Sequence, residues 1–108
     1  MGDAPGEATL DLFIASLGEA ARKQAIVLAH ALRPLGLRIE TELRGASAKA
    51  QFKRADKLGA AAVLTLGDDE LATGTATVKH LREKRQATIA LADVAATAAA
   101  IKQLLAGA

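Results

Sequence analysis

The spacing of hydrophobic residues changes along the chain, from the pattern typical of a strand to the pattern typical of a helix and back again. Apolar runs of strand length occupy residues 9–16 and 60–66, and residues 37–43 alternate apolar with charged or polar side chains. Between these segments apolar residues recur every three or four positions, which is typical of one face of a helix. The order strand, helix, strand, helix, strand predicts right-handed crossovers and a parallel sheet.

Each long predicted helix carries an apolar stripe and has recognisable end signals. Ser47 and Asp93 are suitable N-caps for the second and last helices, and Gly59 suits the left-handed residue that ends the second. The first helix is expected over about residues 19–33. The stripes are Ala21, Ala25, Leu28 and Leu32 in the first helix, Ala48, Phe52, Ala55 and Leu58 in the second, and Val94, Ala98, Ile101 and Leu105 in the last.

The second half of the chain predicts a short helical turn followed by a β-hairpin. The acidic turn at residues 67–70 leads into a strand at 75–81, and a second strand is expected at 86–91. The complete pattern predicts a three-layer α/β fold. In it, a five-stranded mixed, mostly parallel sheet carries helices on both faces.

Composition narrows the class of protein. The 108 residues are enough for one domain, expected at 9–108 after a linker at 1–8. The absence of cysteine excludes zinc-thiolate sites and thiol catalysis, and we expect a cytoplasmic location. No apolar run approaches the roughly 20 residues of a membrane span. Net charge is +2, but five cations cluster around the second helix with only Asp56 opposing them: Arg44, Lys49, Lys53, Arg54 and Lys57. Such a cluster suits a polyanion.

Other chemistry receives little support from the sequence. Neither His30 nor His80 accompanies a nucleophile-elbow sequence, so no catalytic residue is predicted. The acids at 68–70 are interpreted as partners for free backbone N–H groups at a helix start rather than as metal ligands. The first strand-to-helix junction offers one glycine, Gly18, and no nucleotide fingerprint. No cofactor or metal site is therefore expected in this domain.

The segments QFKRADKLGA, VLTLGDDELATGT and VKHL resemble the C-terminal anticodon-binding domain of histidyl-tRNA synthetase, a class II enzyme. The resemblance extends from about residue 10 to residue 105. Thr73 and His80 depart from it, because the family often has asparagine at the first position and commonly an acid at the second.

The resemblance implies the same α/β fold and an anticodon site at one end of the sheet. Carboxylates there would accept hydrogen bonds from base amino groups, and cations would face the RNA. Carried onto this chain, the candidate tRNA contacts are Glu42, Arg44, Lys49, Gln51, Lys53, Glu70, Thr75 and Lys79.

The resemblance also implies the partners. These are the anticodon arm of histidine tRNA and the catalytic domain of a histidine–tRNA ligase, whose aminoacylation would use ATP and magnesium. Neither a membrane nor DNA is expected as a partner. Two alternatives remain at this stage: a paralogous regulatory or dimerisation module that does not read anticodons, and a small flavodoxin-like domain that binds a nucleotide.

Overall fold

Five strands and four α-helices alternate along the part of the chain described by a computed structural model, which covers residues 10–42, 46–81, 83 and 85–106. The predicted linker at 1–8 lies outside these ranges. The strands are β1 (Leu10–Ser16), β2 (Ile39–Thr41), β3 (Ala60–Leu66), β4 (Thr75–His80) and β5 (Gln86–Ala90). The helices are α1 (Glu19–Leu32), α2 (Ala48–Lys57), α3 (Asp68–Thr73) and α4 (Val94–Ala106), with a 3-10 turn at Arg33–Leu35.

The sheet is mixed, with strand order β2-β1-β3-β4-β5. β1 pairs in parallel with β2 and β3, whereas β4 runs antiparallel to both β3 and β5. All strands except β4 therefore point the same way and end at one edge, which we call the carboxyl edge. The predicted five-stranded, mostly parallel sheet is confirmed. β2 is an edge strand, and its ladder covers only Ile39–Thr41.

Alternation along the strands divides the core into two layers. Strand residues such as Leu12, Leu64 and Val78 pack with α1 and α4 on one face. Phe13 and Val63 point to the other face, where α2 covers them. Helices on both faces confirm the predicted three-layer arrangement. Within the described ranges no helix is both long and apolar enough to cross a bilayer.

The predicted helix ends are present in the structure. Ser47 Oγ accepts a hydrogen bond from the Ala50 amide at 3.2 Å. Asp93 Oδ1 accepts one from the Ala95 amide at 2.9 Å. Gly59 follows α2 with φ of 73°, a left-handed conformation that glycine adopts at little cost. The sequence signals at these positions therefore determine where α2 and α4 begin and where α2 stops.

Two of the predicted stripes need correction. All four α1 stripe residues are buried, but Ala48 in α2 and Val94 in α4 are exposed. Both lie in the first turn of a helix that starts at the carboxyl edge, where the chain has just left the sheet. Gln51 takes the inner position in α2 and is fully buried. Of the other α4 stripe residues, Ala98 and Ile101 are buried and Leu105 is half-buried.

An ion pair at the other end of the sheet ties β1 to the start of β2. Asp11 Oδ2 accepts a hydrogen bond from the Arg38 amide at 2.8 Å, and Oδ1 lies 3.1 Å from Arg38 Nη2. Partial burial alone would raise the pKa of Asp11, but the hydrogen bonds and charge of Arg38 outweigh it. The net result is a pKa below the ordinary 3.8.

We predict that Asp11→Asn lowers the free energy of unfolding by about 1 kcal/mol near neutral pH. Because the folded pKa is depressed, the Asp11 contribution is complete above the unfolded pKa and is lost as the pH falls through the folded pKa. Urea unfolding of both proteins across the acid range should show the difference disappearing at the acid end. The control is Glu19→Gln, whose exposed carboxylate lies 3.9 Å from Lys23 and should contribute almost nothing. A difference for Asp11→Asn that stays constant with pH would contradict the prediction.

Candidate nucleic-acid interface

The carboxyl edge gathers the turns that follow β1, β2, β3 and β5. Ser16 at the end of β1 lies in register with Leu66 at the end of β3, and Thr75 at the start of β4 lies opposite Ala90 of β5. α1, α2, α3 and α4 all begin at this edge. Ligands of open α/β sheets bind outside the carboxyl ends of the strands, so this edge is the natural place for a binding site.

A row of cations extends from this edge along α2. Lys49 lies in the first turn, and Lys53 and Lys57 follow at intervals of about 6 Å along the helix axis. These lysines and Arg54 are exposed, and no carboxylate of the described residues lies within 4.0 Å of any of them. Arg44, the remaining predicted cation, lies outside the described residues. α2 therefore presents positive charge that no carboxylate of the described residues neutralises.

Gln51 lies behind this row instead of on it. Its side chain is fully buried, and its Oε1 accepts a hydrogen bond from the Ser16 amide at 2.8 Å. Its Nε2 donates to the carbonyl oxygens of Ser16 and Ala46 at 2.7 and 2.6 Å. The amide is thus committed to the backbone, so the structure gives Gln51 a packing position and not the exposed position that an RNA contact needs.

The two candidate carboxylates differ in their exposure. Glu42 follows β2 and is only 5 % exposed. Glu70 lies in the first turn of α3 and is half-buried. A Cβ at Gly67 would come within 2.9 Å of Glu70 Oε1, so glycine at this position leaves room for the carboxylate beside the turn. Glu70 is therefore the more accessible acceptor at the carboxyl edge.

The acids of α3 and the two histidines lie in different surroundings. Asp68 and Asp69 are exposed in the first turn of α3, and no group of three or more His, Asp or Glu in the described ranges could hold a metal ion. His30 is exposed on α1. His80 is buried, and its Nδ1 accepts a hydrogen bond from the Glu83 amide at 3.2 Å.

Comparison with known proteins places the chain in a family. The family model for an anticodon binding domain matches residues 11–101. The chain belongs to this anticodon-binding domain family.

The proteins similar to this chain include histidine–tRNA ligases of several bacteria. The domain is 47 % identical over 97 residues to histidine–tRNA ligase of Synechocystis sp., covering 90 % of this chain and 22 % of the relative. It is 41 % identical over 91 residues to histidine–tRNA ligase of Geobacillus kaustophilus, covering 84 % of this chain and 21 % of the relative. The chain thus spans about a fifth of the length of these curated relatives.

Solved structures agree with the sequence comparison. The crystal structure of apo Staphylococcus aureus histidyl-tRNA synthetase superposes with a TM-score of 0.80 and 31 % identity, covering 92 % of this chain and 28 % of that one. Histidyl-tRNA synthetase from Nostoc sp. PCC 7120 gives a TM-score of 0.79 and 27 % identity, covering 89 % of this chain and 22 % of that one.

The anticodon-binding domain does not bring every candidate contact together. Thr75 lies at the carboxyl edge, where its Oγ1 is 2.8 Å from Thr73 Oγ1. Lys79 is four residues further along β4, about 13 Å away at strand spacing. It lies opposite Val63, towards the other edge of the sheet. Lys79 is exposed, but it lies away from the candidate contacts at the carboxyl edge.

The register reveals a row of threonines that the sequence alone does not align. Thr65, Thr77 and Thr88 lie side by side across β3, β4 and β5. They point to the same face as α2, and Thr88 at the end of the row is exposed. The period-two pattern of β4 gave the orientation of Thr77, but only the strand pairing shows that these three hydroxyls are neighbours.

Proposed function

We propose that this domain binds the anticodon arm of histidine tRNA and positions it for aminoacylation by the catalytic part of a longer synthetase. The observation that carries the proposal is that the exposed cations of α2 and the turn that holds Glu70 both start at the carboxyl edge of the sheet, in a member of the anticodon-binding domain family. The names of the similar full-length enzymes point to histidine as the amino acid.

Two kinds of contact would provide affinity and specificity separately. Lys49 and Lys53 would neutralise phosphates, which supplies affinity that depends on salt and not on sequence. Glu70 and Thr75 would face base edges, where a carboxylate accepts hydrogen bonds only from amino groups and so discriminates among bases. Phe13 is fully buried and Phe52 half-buried, so recognition through polar edges fits better than stacking on an aromatic platform.

The remaining parts of the reaction belong to the longer enzyme in this proposal. A catalytic portion would bind histidine, ATP and magnesium, and the role of this domain would be to bind the anticodon arm. The pair would act in the cytoplasm, where tRNA is charged for translation. Arg44 stays a predicted contact, because it lies between Glu42 and Lys49 in sequence but outside the described residues.

Titration with two RNA hairpins tests the proposal. They share one stem, and one carries the histidine anticodon loop while the other carries the same loop nucleotides in scrambled order. We expect the chain to bind the histidine hairpin about tenfold or more tightly, since one well-placed base contact discriminates by about 1–3 kcal/mol. Equal affinities would contradict anticodon reading and would favour a paralogous module that binds RNA without reading it.

A further inference from the structure

The side chain of Gln51 forms two hydrogen bonds with the backbone of Ser16 at the end of β1. Leu12 donates its amide to the Arg38 carbonyl at 3.1 Å, on the side of β1 that faces β2. Backbone groups alternate sides along a parallel strand, so the N–H and C=O of Ser16 point the same way. The β2 ladder ends with Thr41 opposite Ile14, two residues earlier. Gln51 pairs with both Ser16 groups where the β2 ladder has ended.

The same amide also holds the chain that enters α2. Nε2 of Gln51 donates a second hydrogen bond to the Ala46 carbonyl, 2.6 Å away. Ala46 directly precedes Ser47, the residue that caps α2. One buried side chain therefore joins the end of β1, the segment before α2 and the second turn of α2 itself.

Only a primary amide of this length satisfies all three partners. The Ser16 amide needs an acceptor, while the Ser16 and Ala46 carbonyls both need donors. A carboxylate at this position would supply the acceptor but no donor, and a thioether would supply no strong partner. A buried backbone group without a hydrogen-bond partner costs free energy. When the Gln51 amide is lost, we therefore expect the first turn of α2 to shift, because these hydrogen bonds no longer hold it.

We propose that Gln51 is a positioning residue for RNA recognition. It sets the location of Lys49 and the first turn of α2 relative to Glu70 and Thr75 at the carboxyl edge. This inference rests on the proposed function. It adds that discrimination between RNA loops, and not only folding, depends on a residue that never touches the RNA.

The test uses two variants and a matched control. Gln51→Met keeps the length and removes all three hydrogen bonds, and Gln51→Glu keeps only the acceptor. Val78→Ala also weakens the fold, but Val78 lies on the face of the sheet that packs with α1 and α4, away from α2. Circular dichroism checks that each protein folds. The histidine and scrambled hairpins are then titrated, and the readout is the ratio of their Kd values.

We expect both Gln51 variants to bind the histidine hairpin about tenfold more weakly, so that the Kd ratio falls towards one. Affinity for the scrambled hairpin should change little, because phosphate contacts tolerate a small shift. Val78→Ala should keep the ratio of the original chain, because a loss of folded protein affects both hairpins equally.

Several results would overturn the inference. A folded Gln51→Met protein that keeps the original ratio would do so, as would equal loss of affinity for both hairpins. Unfolding of both Gln51 variants would also count against it, because it would make the residue purely structural. If the original chain already has a ratio of one, the proposed function fails and the role of Gln51 in recognition fails with it. If only the Gln51 inference fails, the unsubstituted chain still binds the histidine hairpin more tightly than the scrambled one.

Discussion

Substitution of Phe13 by alanine is expected to lower the free energy of unfolding by about 3–5 kcal/mol. The ring is fully buried in β1, on the face of the sheet that α2 covers. Its removal leaves a cavity between the strands and α2 that small neighbours such as Ala55 and Ala15 cannot fill. Small domains are stable by only about 5–15 kcal/mol, so urea unfolding should show a large shift of the midpoint.

Phe52→Ala provides the matched control for Phe13→Ala. The sequence places Phe52 on the apolar stripe of α2, where a buried ring would contribute as much as Phe13. In the structure the ring is half-buried and packs against the edge of the same cluster. We therefore expect a smaller loss, about 1–2 kcal/mol. Equal losses for the two variants would contradict the difference in burial.

The double substitution Lys49→Ala and Lys53→Ala is expected to weaken RNA binding about tenfold or more at low salt. Each phosphate contact contributes about 0.7 to the slope of log affinity against log salt for single strands, so the slope should decrease by about 1.4. Both side chains are exposed on α2, and the melting temperature should hardly change. Fluorescence anisotropy over a salt series measures affinity and slope together.

Lys23→Ala, compared with Lys49→Ala alone, separates local contact from net charge. Lys23 is an exposed lysine on α1, the helix on the opposite face of the sheet from α2. Both single variants lose one positive charge, but only Lys49→Ala should reduce the salt slope. Equal effects would indicate non-specific attraction by the whole domain. Unfolding of the double variant would show that the lysines pack rather than bind.

Local sequence signals were sufficient for the order of elements and for most of the core. The continuous apolar runs of β1 and β3, the caps at Ser47 and Asp93 and the glycine at position 59 each act within a few residues, so the fold could be predicted from them. Mixed strand directions followed from the short hairpin between β4 and β5, which only an antiparallel pair can form.

The site was less predictable because its residues depend on long-range geometry. A glutamine on a basic helix is usually exposed, but Gln51 is buried with its amide hydrogen-bonded to the backbone of Ser16, which is distant in sequence. Lys79 shares a strand with Thr75, but β4 runs away from the carboxyl edge and carries it towards the other edge. The neighbouring positions of Thr65, Thr77 and Thr88 depend on strand register, which short-range patterns do not specify.

Amide chemical-shift mapping tests most directly whether the carboxyl edge and the start of α2 form one RNA-binding surface. The ¹⁵N-labelled domain would be titrated with the histidine anticodon hairpin. We predict the largest changes at Ser47, Lys49, Glu70 and Thr75, with little change on α1. Changes centred on the exposed residues Ile26 and Val27 of α1, with the carboxyl edge unaffected, would contradict this assignment.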